Sequence, residues 1–228
     1  MTSPRDDRRL AAALAGALLL MVAFVYGGSP EVLDPLVRAR LRDPAAREWA
    51  RHTCRFALAF VLFFLVPAIW AGRRPLADFG IRTGDRLFGA AFLAVAIPLV
   101  TPLLWLGVRY GGLAQEYPLA KLAGSSAKMF LMWEATYLVY YVAWECFFRG
   151  FLLFGLRERM GAALAVVVQT IPSALLHIGK PASETFASVA AGILFGAVAL
   201  RSRSVLYVLL FHWYVGAMTD LLSILSRR

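Results

Sequence analysis

An all-α, polytopic transmembrane helix bundle is the fold class this sequence predicts, and three observations predict it. The chain is 60% hydrophobic and only 17% charged, with mean hydropathy +0.66, whereas soluble domains average roughly 45–50% apolar residues. A bilayer-spanning helix needs about 20 mostly apolar residues. Seven stretches approach that length: Leu10 to Gly27, Phe56 to Gly72, Leu87 to Val108, Met129 to Phe148, Ala162 to Ile178, Thr185 to Leu200 and Val205 to Leu225. Two are short, so the predicted range is six to eight helices. These helices and their connections use up the 228 residues and leave no room for a separate soluble domain.

Arg5, Arg8 and Arg9 followed by the run from Leu10 to Val25 share the layout of a signal peptide. The run is slightly long for one, and no clear A-x-A site follows Tyr26-Gly27-Gly28, so it reads as a retained first helix. The next stretch, Glu31 to Arg55, carries six arginines interleaved with Val32, Leu33, Leu36, Val37, Leu41 and Trp49. That pattern suits either an interfacial helix or a solvated basic loop. Residues 1–85 are thus read as N-terminal helices with a basic connection, and 86–228 as the core membrane domain.

The net charge of +10 would point to nucleic acid in a soluble protein. Here the arginines lie mostly between apolar segments, which makes lipid headgroups the expected partner and excludes a nucleic-acid role. The positive-inside rule assigns no orientation, because 12 of the 24 Lys and Arg fall on each side of the seven-helix arrangement. Cys54 and Cys146 sit at or inside apolar segments, where inert buried thiols are the default. They lack the spacing of a zinc or redox motif. No Gly-rich phosphate loop, GxSxG elbow or HExxH pair is present.

The chemistry concentrates in a few ionisable residues within the apolar segments: Glu134, Glu145, Arg149, Gln169, His177, His212 and Asp220. A charge at that depth costs roughly 2.5–3.5 kcal/mol even on a lenient scale, so it persists where it is paired and used. Glu145 and Arg149 are one turn apart and can pair. Glu134 lies 11 residues before Glu145, about three turns and 16 Å along one face. Gln169, Ser173 and His177 recur every four residues, as do His212, Gly216 and Asp220.

Polar faces in lipid must turn toward one another or toward a water-filled cavity. The economical arrangement puts Glu145, His177 and His212 around one such cavity. A carboxylate beside a histidine can deprotonate a water while a second histidine donates to an oxyanion. The same trio could hold a divalent metal such as zinc, with water as the open ligand. Gly192 and Gly196 read as close helix packing. Gln169 beside Pro172 is placed to satisfy backbone groups freed by the proline. The aromatic run Trp133, Tyr137, Tyr140, Tyr141 and Trp144 reads as interface and bundle packing, with a substrate-facing aromatic wall as the lesser alternative.

Glu145 with Phe148-Arg149-Gly150, His177 in Leu176-His177-Ile178-Gly179-Lys180-Pro181, the run Gly192 to Gly196, and Phe211-His212 resemble, in order, the CAAX-protease and bacteriocin-processing (CPBP, Abi) family of intramembrane proteases. Upstream, Leu76 to Arg82 looks like the short segment such proteins carry before their core helices. The resemblance implies an intramembrane endopeptidase, glutamic-type or metal-dependent, acting on membrane-anchored proteins or peptides. Its substrates would be a maturing peptide such as a bacteriocin, a sorting-type C-terminal anchor, or a target in toxin immunity. It further implies a glutamate-activated water assisted by His177, with His212 as the oxyanion donor; Glu145 is read as that carboxylate and Arg149 as the residue that positions it.

The chain departs from the family pattern at Trp144, which replaces the first of two glutamates, at Ser173, which replaces phenylalanine, and at Gly216, which replaces asparagine or aspartate. Glu134 and Asp220 are therefore secondary candidates for the missing groups. Two other classes fit the residues: a catalytically inactive relative that binds membrane proteins, and a proton-coupled transporter. The alanine- and arginine-rich composition fits a high-GC bacterium, and hence an inner-membrane location.

Overall fold

The computed structural model describes residues 4–227, which form eight helices of nine residues or more: α1 Pro4–Gly27, α2 Pro30–Arg38, α3 Pro44–Ala71, α4 Arg86–Tyr110, α5 Ala127–Met160, α6 Ala162–Leu175, α7 Ala182–Ser202 and α8 Leu206–Leu225. Six are long and apolar enough to cross a membrane, and α6 is a shorter apolar helix. The chain is an integral, multi-pass helical bundle.

The basic stretch from Glu31 to Arg55 is neither one interfacial helix nor a loop. α2 covers its first part and buries Leu33 and Val37, while Arg38 and Arg51 both reach Asp34, at 3.8 Å and 3.3 Å. The rest forms the first turns of α3, which starts well before the apolar run at Phe56. Asp43 caps that start by accepting from the Ala46 backbone N–H at 2.9 Å, and Pro44 takes the first helical position, where its missing N–H costs nothing. α1 is packed into the bundle through Phe24, whose ring lies 4.9 Å from that of Phe63 on α3.

α5 is the central column. It runs past Phe148 to Met160 because residues 146–154 widen into π-helical turns, a distortion that recurs at functional sites. A second π segment, Val61–Leu65 on α3, lies beside it, with Phe63 and Phe147 stacked at 4.6 Å. The Leu76 to Arg82 segment braces this region. Gly80 has φ +73°, and a Cβ there would stand 2.5 Å from the Phe154 ring, so only glycine fits. The Gly80 carbonyl accepts from the Val205 backbone N–H, which ties the segment to the start of α8.

α7 packs on α6 through Gly192 and Gly196, as expected of small residues at a close helix crossing. A Cβ at Gly192 would meet Thr170 Cγ2 at 2.6 Å. Within its own helix the Gln169 side chain donates to the Val166 carbonyl at 3.0 Å. Its Nε2 donates across to the Gly192 carbonyl at 2.8 Å and stitches the two helices together.

With 14 residues, α6 is about 21 Å long, short of the roughly 30 Å hydrocarbon core. The turn after it, residues 176–181, is therefore irregular backbone at depth, and such backbone is tolerated where it lines a cavity. That turn carries His177.

Candidate active site

Trp144 and Glu145 are successive residues on α5 and point about 100° apart. Trp144 faces a cavity and Glu145 turns away from it into the protein. Glu145 is fully buried, with Oε1 2.6 Å from His212 Nδ1 on α8 and 3.3 Å from Arg149 Nη1. Arg149 is itself buried, and its guanidinium lies over the Phe195 ring at 5.2 Å. Among the described residues, Glu145 Oε2 and Arg149 Nε have no hydrogen-bond partner. The π-helical turn that begins at Cys146 brings Arg149 back over Glu145, one helical turn away.

The two histidines are oriented by different acceptors. His177 Nδ1 lies 2.8 Å from the Ser173 carbonyl, which can only accept, so the proton sits on Nδ1 and Nε2 offers a lone pair. His212 Nδ1 faces the Glu145 carboxylate, which can only accept and so holds a proton on Nδ1; the ring donates from Nε2 when both nitrogens carry protons. The His177 ring is also fixed by Trp144, edge to face at 5.6 Å, and the His212 ring by Tyr141 at 4.8 Å and Phe195 at 5.3 Å.

Both histidines line a cavity of about 440 Å³. Its walls are aromatic, with Phe24, Phe56, Tyr137, Tyr140, Tyr141 and Trp144. Its charged lining consists of Arg55 on α3, Glu116 and Lys180 in the connections after α4 and α6, and Glu184 in the first turn of α7. The tyrosines and Trp144 thus form a cavity wall, the lesser of the two readings of that run. Trp133 stays in the bundle, its Nε1 donating to Asp220 Oδ2 at 2.8 Å.

Residues 126–218 match the family model described as Rce1-like, type II CAAX prenyl endopeptidase Rce1-like. This stretch is Rce1-like. No curated protein and no solved structure matches the chain. The Rce1-like segment runs from the cap of α5 into α8 and contains Glu145, Arg149, His177 and His212. The matched family is one of proteases.

The Rce1-like segment shows what stands at each departure from the family motifs. Trp144, in place of glutamate, lies against the cavity and His177. Ser173, in place of phenylalanine, is buried beneath His177. Gly216 leaves room for Tyr141: a Cβ at 216 would stand 1.9 Å from the Tyr141 hydroxyl. Restoring the asparagine alone is expected to destabilise the protein by about 1–3 kcal/mol, the usual cost of overpacking. Combining Gly216→Asn with Tyr141→Ala should recover most of that loss. Melting temperatures of the two variants in detergent test this coupling.

The structure does not gather every residue the sequence singled out. Glu134 and Asp220 are buried but do not line the cavity, and Asp220 is held by Trp133 with no contact to His212. Among the described residues, no three His, Cys, Asp or Glu side chains converge to hold a metal ion. Glu145, His177 and His212 do not fit zinc as a ligand set, since Glu145 stands behind His212. Cys146 is buried as expected, but Cys54 is exposed.

Several cavity residues escaped the sequence reading. His52 lies among the aromatic rings, 6.0 Å from Trp133 and 6.3 Å from Phe56. Lys180 forms an ion pair with Glu116 and lies over the Tyr117 ring at 5.2 Å. The Tyr117 hydroxyl donates to Glu184 Oε1 at 2.8 Å. Burial pushes the Tyr117 hydroxyl well above its ordinary pKa, with Glu184 adding to the effect, so it acts as a donor. The one sequence signal was the cluster of Lys180, Pro181 and Glu184 at a helix start.

Proposed function

We propose that the protein is an intramembrane endopeptidase that hydrolyses a peptide bond near the end of a membrane-anchored protein or peptide. The observation that carries this reading is the pair of histidines on one aromatic-walled cavity, each with Nδ1 engaged and Nε2 left for chemistry. His177 Nε2 accepts a hydrogen bond from the attacking water and orients it. His212 Nε2–H stabilises the negative charge that develops on the carbonyl oxygen, the largest single contribution in many acyl-transfer enzymes. Glu145 works through His212 as a buried counter-ion, and Arg149 fixes Glu145. The aromatic wall holds an apolar substrate segment, and the charged lining lets water and a polar chain end enter. The proposed setting is the inner membrane of a bacterium, with lipid headgroups meeting the basic connections.

The test is cleavage by purified protein of quenched peptides ending in CAAX-type tetrapeptides, with and without a farnesyl thioether, read by mass spectrometry. Release of a C-terminal fragment that disappears in His177→Ala supports the reading. No cleavage of any peptide, or equal cleavage by His177→Ala, contradicts it. A second reading, a catalytically inactive relative, is favoured by one observation: Trp144 occupies the cavity position where the family carries a carboxylate. Capture of membrane-anchored proteins without turnover would support that reading.

A further inference from the structure

A hydrolytic site built on His177 and His212 needs a group that takes the proton from water and returns it to the leaving amine. Neither Trp144 nor the inward-turned Glu145 delivers a carboxylate to the cavity. Two other carboxylates line it, Glu116 and Glu184. Glu116 is committed to its ion pair with Lys180. Glu184 accepts from the Tyr117 hydroxyl through Oε1, while Oε2 is buried and has no hydrogen-bond partner among the described residues. A buried carboxylate oxygen in that state is short of a donor, and Glu184 stands on the wall of the cavity that would supply one.

The chain also fixes Glu184 relative to the histidine. Thr185, the next residue, donates its Oγ1–H to the His177 carbonyl at 2.8 Å. The first turn of α7 and the His177 turn are therefore held as one unit.

We propose that Glu184 is the proton-transfer carboxylate of this site and supplies, from α7, the function lost with the glutamate at position 144. The inference rests on the hydrolytic reading above. A water held between Glu184 Oε2 and His177 Nε2 gives its proton to Oε2 as its oxygen forms a bond to the scissile carbonyl carbon. The carbonyl π pair moves onto oxygen, opposite the His212 Nε2–H. When that pair returns, the C–N bond breaks and the Glu184 carboxylic acid protonates the departing nitrogen. Carboxylate, water and peptide bond are thereby converted to carboxylate, new C-terminus and free amine, with no other reactant. Tyr117 holds Oε1 so that Oε2 faces the water.

An acidic residue in a first helical turn also stabilises the helix dipole, so the test must separate chemistry from folding. Single-turnover cleavage of a CAAX-type peptide should fall about 10²–10⁴-fold in Glu184→Gln. Substrate affinity and melting temperature should stay near wild type. Added formate should restore part of the activity of Glu184→Ala, which a purely structural role would not permit. If Glu184→Gln keeps wild-type rates while His177→Ala is inactive, the Glu184 assignment is overturned and the hydrolytic reading stands. If the wild type cleaves nothing, both fall together. Should Glu184→Gln lower the melting temperature, formate rescue decides: restoration supports the assignment and its absence overturns it.

Discussion

Replacing Glu145 with Leu is expected to cost the fold about 3–5 kcal/mol, because it leaves the Arg149 guanidinium buried without its counter-charge. Arg149 is 2% exposed and Glu145 0%, so solvent cannot take over the role of either partner. Pairing Glu145→Leu with Arg149→Met should recover most of that stability, since an apolar pair of similar volume commonly replaces a buried ion pair without loss. The double variant should nevertheless stay inactive, because His212 then lacks the carboxylate that holds its Nδ1 proton. Melting temperature and peptide cleavage, measured on the same preparations, separate the two roles. Recovery of both would make the pair a purely structural device.

The second large effect falls on His212. Replacing it with Ala removes a donor to the developing oxyanion, and such losses cost about 10²–10³-fold in turnover. Glu145 keeps Arg149 in this variant, so the fold should survive. The expected result is a low turnover with substrate affinity near wild type, the pattern of an interaction made in the transition state. A matching rise in KM with unchanged turnover would instead assign His212 to substrate binding.

Most of the bundle was legible because apolar run length responds directly to the bilayer. The same measure missed the start of α3, where hydropathy drops across Arg47, Arg51 and Arg55. The structure puts that start at Asp43, which caps it, and Pro44, which takes its first position. At the site, Glu145, Arg149, His177 and His212 stood out as charges in apolar sequence; the structure sets the two histidines on one cavity and pairs Glu145 with Arg149 behind His212. Their orientation was not legible. Which neighbour faces the cavity depends on the phase of α5, and this put Trp144 on the wall and Glu145 behind His212. Glu184 was missed because an acidic residue in a first helical turn looks the same in sequence whether it caps a helix or lines a cavity.

The role of Gly216 was equally hidden. A missing asparagine reads as a defect until the Tyr141 hydroxyl is seen in its place. Of the departures from the family motifs, Gly216 is filled by Tyr141, whereas Trp144 lines the cavity. Whether the remaining groups still hydrolyse a peptide bond is the central claim, and isotope incorporation tests it most directly. Cleavage of a CAAX-type peptide in ¹⁸O-labelled water should place the label in the new carboxyl group with wild-type protein and give no product with His177→Ala. Absence of labelled product from the wild type, or equal labelled product from His177→Ala, would contradict it.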